Sequence, residues 1–200
     1  NILIHSDLIV SFFFVTEQND ALEIHNEYRR EHGVPPLVIN KEISKVSQKW
    51  ADELAKKDAM AYSLNKNYGE NVYCGWSPDP NVKIKARDCL DKWYSEINKF
   101  SFGREPEVLT CGHFTQIIWK DTRELGIGTA KSKSGKLYVV ANYFPPGNYS
   151  GQFVKNVLPP GALQFRSSFS SLYQRLCNHS KNCFLAFKLL PREYFIFPLK

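Results

Sequence analysis

Residues able to do chemistry gather in four short clusters of the sequence. In chain order the clusters are HNEYR (25–29), GENV (69–72), GHFTQIIW (112–119) and YVVANYFPPGNY (138–149). An imidazole such as that of His113 exchanges a proton near neutral pH, and a carboxylate such as that of Glu70 acts as a general base or a metal ligand. The sequence has no Gly-x-Ser-x-Gly nucleophile elbow and nothing that marks an oxyanion hole. The clusters therefore predict a polar cleft without specifying a reaction.

Each of these residues also has a purely structural interpretation. A lone histidine such as His113 is usually a hydrogen-bonded structural residue, and Glu70 can accept N–H bonds from its neighbouring loop. Two interpretations of Glu70, Glu96 and His113 are therefore equally open. They form either a mutually hydrogen-bonded cluster that mainly stabilises the structure or a functional site. His25 and Arg29 lie one helical turn apart, which favours a core or capping role over ligand binding.

Three helices are predicted from hydrophobic periodicity and capping signals. The first covers about 21–32, with Asp20 as its N-cap and Glu23 at the capping-box position. The second covers about 41–60, and its apolar stripe, which we interpret as core, consists of Ile43, Val46, Trp50 and Leu54. The third covers about 82–99, again with apolar residues at helical spacing.

A β-hairpin is predicted later in the chain. Leu125–Ser132 and Lys136–Phe144 are alternating or β-rich runs, and a Lys-Ser-Gly turn separates them. Trp119, Tyr143 and Phe144 are predicted to lie in the core. Helices followed by a hairpin predict the α+β fold class.

Length and charge limit the domain organisation and the partners. The 200 residues suit one domain with its own core, which we place at 20–160, with an N-terminal extension at 1–19 and a C-terminal extension at 161–200. The central segment carries 20 basic and 17 acidic side chains and has no dense Lys/Arg stripe. Nucleic acid is therefore not an expected partner, whereas attraction to an anionic membrane surface is compatible with the net charge of +6.

The apolar run Leu8–Val15 bears on the compartment. It is too short to span a membrane, and Asp7 precedes it where a secretory signal needs a basic residue. The five cysteines lack C-x-x-C spacing and form a sparse, odd set. Both observations favour a reducing compartment over secretion.

Together the four clusters, in this order over residues 20–160, resemble the signatures of the CAP superfamily. This superfamily comprises the cysteine-rich secretory, antigen 5 and plant pathogenesis-related proteins, and its domain is also called SCP. The resemblance implies an α/β/α sandwich with a small, mostly antiparallel sheet between helices. It also implies a cleft where two histidines and two glutamates converge, and in several members the histidine pair binds a divalent metal.

By motif, Glu70, Glu96 and His113 match three of the four cleft positions of the family. At the fourth, where the family has His-Ser, this chain has Tyr62-Ser63. One imidazole with two carboxylates is a poorer zinc site than two imidazoles, so no cofactor is expected to be required and zinc binding by His113, Glu70 and Glu96 is expected to be weak. A hydrolase that uses Ser63, His113 and Glu70 is the enzymatic alternative.

The resemblance favours binding over catalysis. The segment 100–109 aligns with the family loop implicated in sterol and lipid capture, and its apolar candidates are Phe100, Phe102, Val108 and Leu109. Glu105 and Glu107 add charge where that loop is less charged. The expected partners are an anionic lipid membrane or a sterol or fatty acid, together with a possible second copy of the chain as a homodimer.

A cysteine position of the family bears on location. Secreted members usually have a cysteine where this chain has Ala141, which matches the intracellular branch that is peripheral to Golgi or other membranes. Cys111 resembles secreted members instead. We therefore expect a non-enzymatic, lipid- or membrane-associating CAP-domain protein inside the cell, and the alternatives are the cleft hydrolase and a secreted effector that binds a protein or a sterol.

Overall fold

The computed structural model of the protein describes residues 18–79 and 84–161. Four helices, one 3₁₀ helix and four strands follow the first helix in these ranges. The apolar run at 8–15 and the C-terminal extension beyond 161 lie outside the described residues. No helix within the described ranges is both long and apolar enough to cross a lipid bilayer.

Helix α1 begins earlier than the sequence predicted. Its described part covers 18–31, so Asp20 is an exposed residue inside the helix and the prediction that it is the N-cap is wrong. The side chain of Gln18 is nearly buried, and its amide donates a 2.8 Å hydrogen bond to the carbonyl oxygen of Ile127. Residues 18 and 19 therefore belong to the fold rather than to the predicted extension, because this long-range bond ties the described start of α1 to the sheet.

Helix α2 spans Lys41–Lys57 and has well-defined caps. The side chain of Asn40 accepts the backbone N–H groups of Glu42 and Ile43, and Asp58 ends the helix in the left-handed conformation with φ 51°. The predicted helix at 41–60 is thus confirmed, except that Asp58 stops it three residues early.

The buried face of α2 differs from the predicted stripe. Val46 and Trp50 are only partly buried, and the buried residues are Ile43, Ser44, Ser47, Ala51 and Leu54. The cause lies on the facing strand, where a Cβ added to Gly126 or Gly128 would stand 2.2–2.3 Å from the backbone of α2. The missing side chains let the helix approach so closely that Ser47 reaches the carbonyl oxygen of Gly126 at 3.0 Å.

The third predicted helix is a shorter α-helix followed by a tighter turn. Helix α3 spans Ala86–Tyr94, and a 3₁₀ helix continues it over Ser95–Lys99. Residues 82 and 83 of the prediction lie outside the described residues. Two further short helices follow, α4 at Gly112–Ile117 and α5 at Phe153–Asn156.

Four strands form one mixed sheet in the order β1-β3-β4-β2. Strand β1 (Val38–Ile39) pairs in parallel with β3 (Glu124–Lys131), and β3 pairs antiparallel with β4 (Leu137–Phe144). The predicted hairpin is therefore confirmed. The fourth strand, β2 (Gly69–Gly75), runs antiparallel beside β4 and was not predicted as a strand.

The sheet lies between two apolar layers. Helices α1, α3 and α4 cover one face, and Ala51 and Leu54 of α2 pack on the other face against Val72, Tyr138 and Val140. Trp119 and Tyr143 are buried as predicted. The prediction for Phe144 is wrong, because strand alternation directs it away from the face that Tyr143 occupies and leaves it 42% exposed.

A buried cation joins α1 to the chain around α4. The guanidinium of Arg29 is fully buried and donates hydrogen bonds of 2.7–3.0 Å to four backbone carbonyl oxygens, those of Pro35, Ile117, Trp119 and Thr122. Burial lowers the pKa of Arg29 to about 9, so the group remains charged at neutral pH. The expected structural role of Arg29 is thereby confirmed.

His25 is a second buried polar group of α1. Its Nδ1 lies 2.7 Å from the carbonyl oxygen of Ala21, and its Nε2 lies 2.8 Å from the hydroxyl of Tyr143. Because a carbonyl only accepts, Nδ1 carries the proton and Nε2 accepts from the tyrosine. His25 is fully buried, as a core role requires.

Replacing Arg29 should strongly destabilise the domain. Arg29→Leu leaves four buried carbonyl groups without their donor, so we expect the free energy of unfolding to fall by about 3–5 kcal/mol. Urea denaturation measures this change. Arg30→Leu is the matched control, since Arg30 is the exposed neighbour on the same helix. Equal losses for the two variants would contradict the structural role of Arg29.

Acid should destabilise the fold through His25. Burial lowers the pKa of this histidine from 6.5 to about 4, so the unfolded chain binds a proton more readily between these values. We expect stability to be complete above pH 6.5 and to fall by roughly 3 kcal/mol as the pH drops to 4. An NMR titration checks the cause directly, because a His25 resonance that titrates near pH 6.5 would contradict it.

Candidate functional site

A cleft of about 300 Å³ opens beside the edge strand β2. The start of β2, the 3₁₀ helix, the first turn of α4 and three loops contribute its walls. The lining residues are Tyr62, Glu70, Asn71, Glu96, Leu109, Thr110, Gly112, His113 and Asn148. The structure thus brings together all four cleft residues named from the sequence, namely Tyr62, Glu70, Glu96 and His113.

Glu96 fixes the position of His113. One carboxylate oxygen of Glu96 lies 2.8 Å from Nδ1 of His113, and the other accepts the backbone N–H groups of His113 and Phe114 at 3.0 and 3.3 Å. Because an ionised carboxylate only accepts, Nδ1 of the imidazole is the donor. The ring of His113 also stacks on Trp93 with an interplanar angle of 10°. The remaining nitrogen, Nε2, therefore faces the cleft in a fixed orientation.

Tyr62 occupies the position that faces this nitrogen. Its hydroxyl lies 2.8 Å from Nε2 of His113, and in the neutral imidazole the phenol is the donor of this bond. Burial raises the pKa of Tyr62, and the negative charges of Glu96 and Glu70 raise it further. The phenol therefore keeps its proton at neutral pH and shares it with the imidazole.

Glu70 secures the loop that carries Tyr62. One oxygen of its carboxylate accepts the backbone N–H of Ser63 at 2.6 Å, and the other accepts the side-chain amide of Asn142 at 3.2 Å. Both contacts are ones that a structural carboxylate makes. Glu70 is thus engaged with the neighbouring loop, in the way the structural interpretation of the sequence describes.

The predicted arrangement of Ser63, His113 and Glu70 is not the one found. The hydroxyl of Ser63 accepts the backbone N–H of Asn65 at 3.4 Å, and no hydrogen bond among the described residues joins it to His113. The nitrogen that would serve as its base is already bonded to Tyr62. A hydrolase with Ser63 as its nucleophile is therefore not supported by this geometry.

The four lipid-loop candidates divide into two pairs. Phe100 and Phe102 are half-buried against the main core, and both rings contact Phe114. Val108 and Leu109 are 74% and 39% exposed, and Leu109 lines the cleft. The aromatic pair anchors the loop because three rings, those of His32, Phe114 and Phe153, pack against it.

Glu105 also anchors this loop. Its two carboxylate oxygens accept the backbone N–H groups of Gly151 and Val154 at 2.9 and 3.1 Å. A charge that the sequence interpretation treated as a hindrance to lipid capture thus ties the loop to the start of α5.

Sequence reasoning missed two asparagines that line the cleft. The amide of Asn71 donates to the carbonyl oxygen of His113 and to the hydroxyl of Tyr143, both at 3.1 Å. The amide of Asn148, at φ 63°, donates to the carbonyl oxygen of Gly112 at 2.9 Å. Both residues lie within the four clusters, but an asparagine side chain does not titrate and so carries no acid–base signal in the sequence.

The donor atoms of the cleft do not fit the metal that the family implies. Nε2 of His113 is hydrogen-bonded to Tyr62 and Nδ1 to Glu96, so neither ring nitrogen has a free lone pair directed at the cavity. Among the described residues, no group of three His, Cys, Asp or Glu side chains is placed to hold a metal ion.

The comparison with known families agrees with the fold and with the order of the motifs. The family described as CAP, the cysteine-rich secretory protein family, matches residues 22–143, which is more than half of the chain. The protein belongs to this family, and the predicted α/β/α sandwich is confirmed.

Individual relatives support the same assignment. Golgi-associated plant pathogenesis-related protein 1 of Homo sapiens is 37% identical over 148 residues, which cover 71% of this chain and 92% of the relative. Pathogenesis-related protein 1A of Nicotiana tabacum is 31% identical over 137 residues, covering 68% and 79%. The crystal structure of NaASP2 with Zn²⁺ has a TM-score of 0.58 at 22% identity and covers 72% of this chain and 86% of its own.

Exchanging Tyr62 for histidine should increase zinc affinity. The native cleft offers one imidazole that is already hydrogen-bonded, whereas Tyr62→His places a second imidazole opposite Nε2 of His113. We expect the variant to bind zinc at least about tenfold more tightly, because two imidazoles suit Zn²⁺ better than one with a phenol. Isothermal titration of both proteins measures this. Tight binding by the native chain with no gain in the variant would contradict it.

Proposed function

We propose that the protein is a non-enzymatic CAP-domain module that associates with anionic lipid membranes inside the cell. The observation that carries this proposal is the set of exposed apolar side chains on the two loops that border the cleft. Met60, Tyr62 and Leu64 stand on the first loop at 52%, 54% and 97% exposure, and Val108 and Leu109 stand on the second.

An apolar rim of this kind suits a membrane interface. Fully exposed leucine and valine side chains gain free energy when they leave water, at about 25 cal/mol per Å² of buried apolar area. Contiguous exposed apolar surface also marks sites that bind membranes, proteins or ligands. Leu64 and Val108 are the two most exposed of the large apolar residues described, so they are the natural contacts with the acyl boundary.

Lysines on and before the first rim loop supply the attraction to anionic lipid. Lys56 and Lys57 form the last turn of α2, directly before this loop. The exposed Lys66 lies on the loop itself. Lysines near an anionic surface contribute about 1 kcal/mol each, and salt weakens the effect.

The relatives are compatible with this proposal. The human relative is named as Golgi-associated, and this supports an intracellular, membrane-peripheral location. The carboxylate of Glu70 is engaged with the backbone of Ser63 and with Asn142, and the hydroxyl of Ser63 has no hydrogen bond to His113, which favours a binding role over a hydrolase that uses Ser63.

Flotation of the full chain with vesicles tests the proposal. We expect the protein to float with phosphatidylcholine vesicles that contain phosphatidylserine, less with phosphatidylcholine alone, and less again in high salt because surface charges are then screened. Leu64→Ser combined with Val108→Ser should reduce flotation several-fold, since it removes the apolar contacts.

Val38→Ser is the matched control for the rim. Val38 is 58% exposed but lies on β1, at the opposite edge of the sheet from β2. The Val38→Ser variant should therefore float like the native chain. If the protein floated with no vesicle, the proposed function would be wrong. If Val38→Ser and the rim variant lost flotation equally, the rim would not be the part of the protein that binds the membrane.

A further inference from the structure

We propose that Tyr62 is a nucleophile that takes up an acyl group from activated esters, so that the cleft is a site of covalent acylation. This inference does not rest on the proposed membrane function. It follows from three side chains, Tyr62, His113 and Glu96, which form one hydrogen-bonded chain at the cleft.

The three groups stand in the order that acyl transfer requires. The Tyr62 hydroxyl lies 2.8 Å from Nε2 of His113, and Nδ1 of the same ring lies 2.8 Å from the carboxylate of Glu96. A hydroxyl nucleophile, an imidazole base and an orienting carboxylate in this sequence are recognised by geometry and role, whatever the fold or chain order. The phenol of Tyr62 takes the position that a serine hydroxyl takes in hydrolases.

The base is held rigidly. Glu96 binds the backbone N–H of His113 as well as its ring, and Trp93 stacks on the imidazole at a centroid distance of 6.1 Å. Glu70 holds the backbone of Ser63, the residue after the nucleophile, at 2.6 Å. Both partners of the proton transfer are thus fixed by contacts that do not involve the transferred proton.

Charge in the cleft favours proton transfer during the attack. Burial raises the pKa of Tyr62, and the charges of Glu96 and Glu70 raise it further, so the phenol is protonated before the attack. The carboxylate of Glu96 lies 2.8 Å from Nδ1 and stays bonded to the ring when His113 takes the proton at Nε2. Attack and deprotonation are therefore coupled, with His113 as the general base.

Access and lining indicate the class of acyl group. Tyr62 is 54% exposed, and the adjoining cavity of about 300 Å³ has Leu109 in its wall. The apolar side chain of Leu109 favours short aliphatic acyl groups. The carboxylates of Glu70 and Glu96 in the same wall disfavour acyl groups that carry negative charge.

The step balances as an ordinary acyl transfer. The phenolic oxygen of Tyr62 bonds to the carbonyl carbon of the ester, and the phenol proton moves to Nε2 of His113. The bond from the carbonyl carbon to the leaving oxygen then breaks, and the imidazolium returns its proton to the departing alkoxide or aryloxide. The products are the acyl ester of Tyr62 and a free alcohol or phenol, with no oxidant or reductant involved.

Labelling of the full chain with p-nitrophenyl acetate tests the proposal. We expect one acetyl group per chain, placed on Tyr62 by peptide mass spectrometry, and formed about 100-fold faster than on Tyr149, because an oriented base contributes at least this factor. Tyr149 is the internal reference, since it is a tyrosine of similar exposure, 50%, with no hydrogen bond to His113.

Two variants separate the nucleophile from its surroundings. Tyr62→Phe should abolish the fast acetylation, and Tyr149→Phe should leave it unchanged. Acetylation of Tyr62 and Tyr149 at equal rates in the native chain, or a fast phase that persists in Tyr62→Phe, would overturn the proposal. The site mapping on the native chain stays decisive even if a variant fails to fold, and vesicle flotation of the native chain reports separately on the membrane function.

Discussion

The fold depends on a positive charge that is removed from water and has no acidic partner among the residues that the structure describes. Arg29 binds four backbone carbonyl oxygens, and two of them belong to Ile117 and Trp119, at and just after the end of α4. Taking a guanidinium out of water is costly, and only a full set of hydrogen bonds offsets the cost. The segment from 117 to 122 must therefore adopt one conformation, and that conformation fixes the C-terminal end of α4.

The geometry of the cleft depends on these hydrogen bonds of Arg29. His113 stands in the first turn of α4, so the position of that helix decides where the imidazole points. From the core side, a second chain of polar contacts reaches the same residue, since His25 binds Tyr143 and Asn71 joins Tyr143 to the carbonyl oxygen of His113. The cleft is thus supported by buried polar groups of α1 that never face it.

The sequence predicted the positions of the helices and strands better than it predicted which of their faces are buried. The hairpin and α2 follow from alternation and capping, and Glu70, Glu96 and His113 meet as the motifs indicated. Which side of α2 is buried depends on Gly126 and Gly128, nearly 80 residues away, and periodicity within a helix carries no information about its partner. Likewise, the sequence offers Phe100 and Phe102 as equals of Val108 and Leu109, and only the fold brings the ring of Phe114 against the first two.

The close packing of α2 on β3 also affects how the chain folds during its synthesis. Ser47 and Gln48 bond to Gly126 and Thr129, partners that lie 79 and 81 residues later. During synthesis α2 leaves the ribosome long before that strand exists, and its buried face has no surface to cover it in the meantime. Contacts of such separation slow folding because a long loop must close first. The buried face of α2 thus stays in contact with water until β3 has been made.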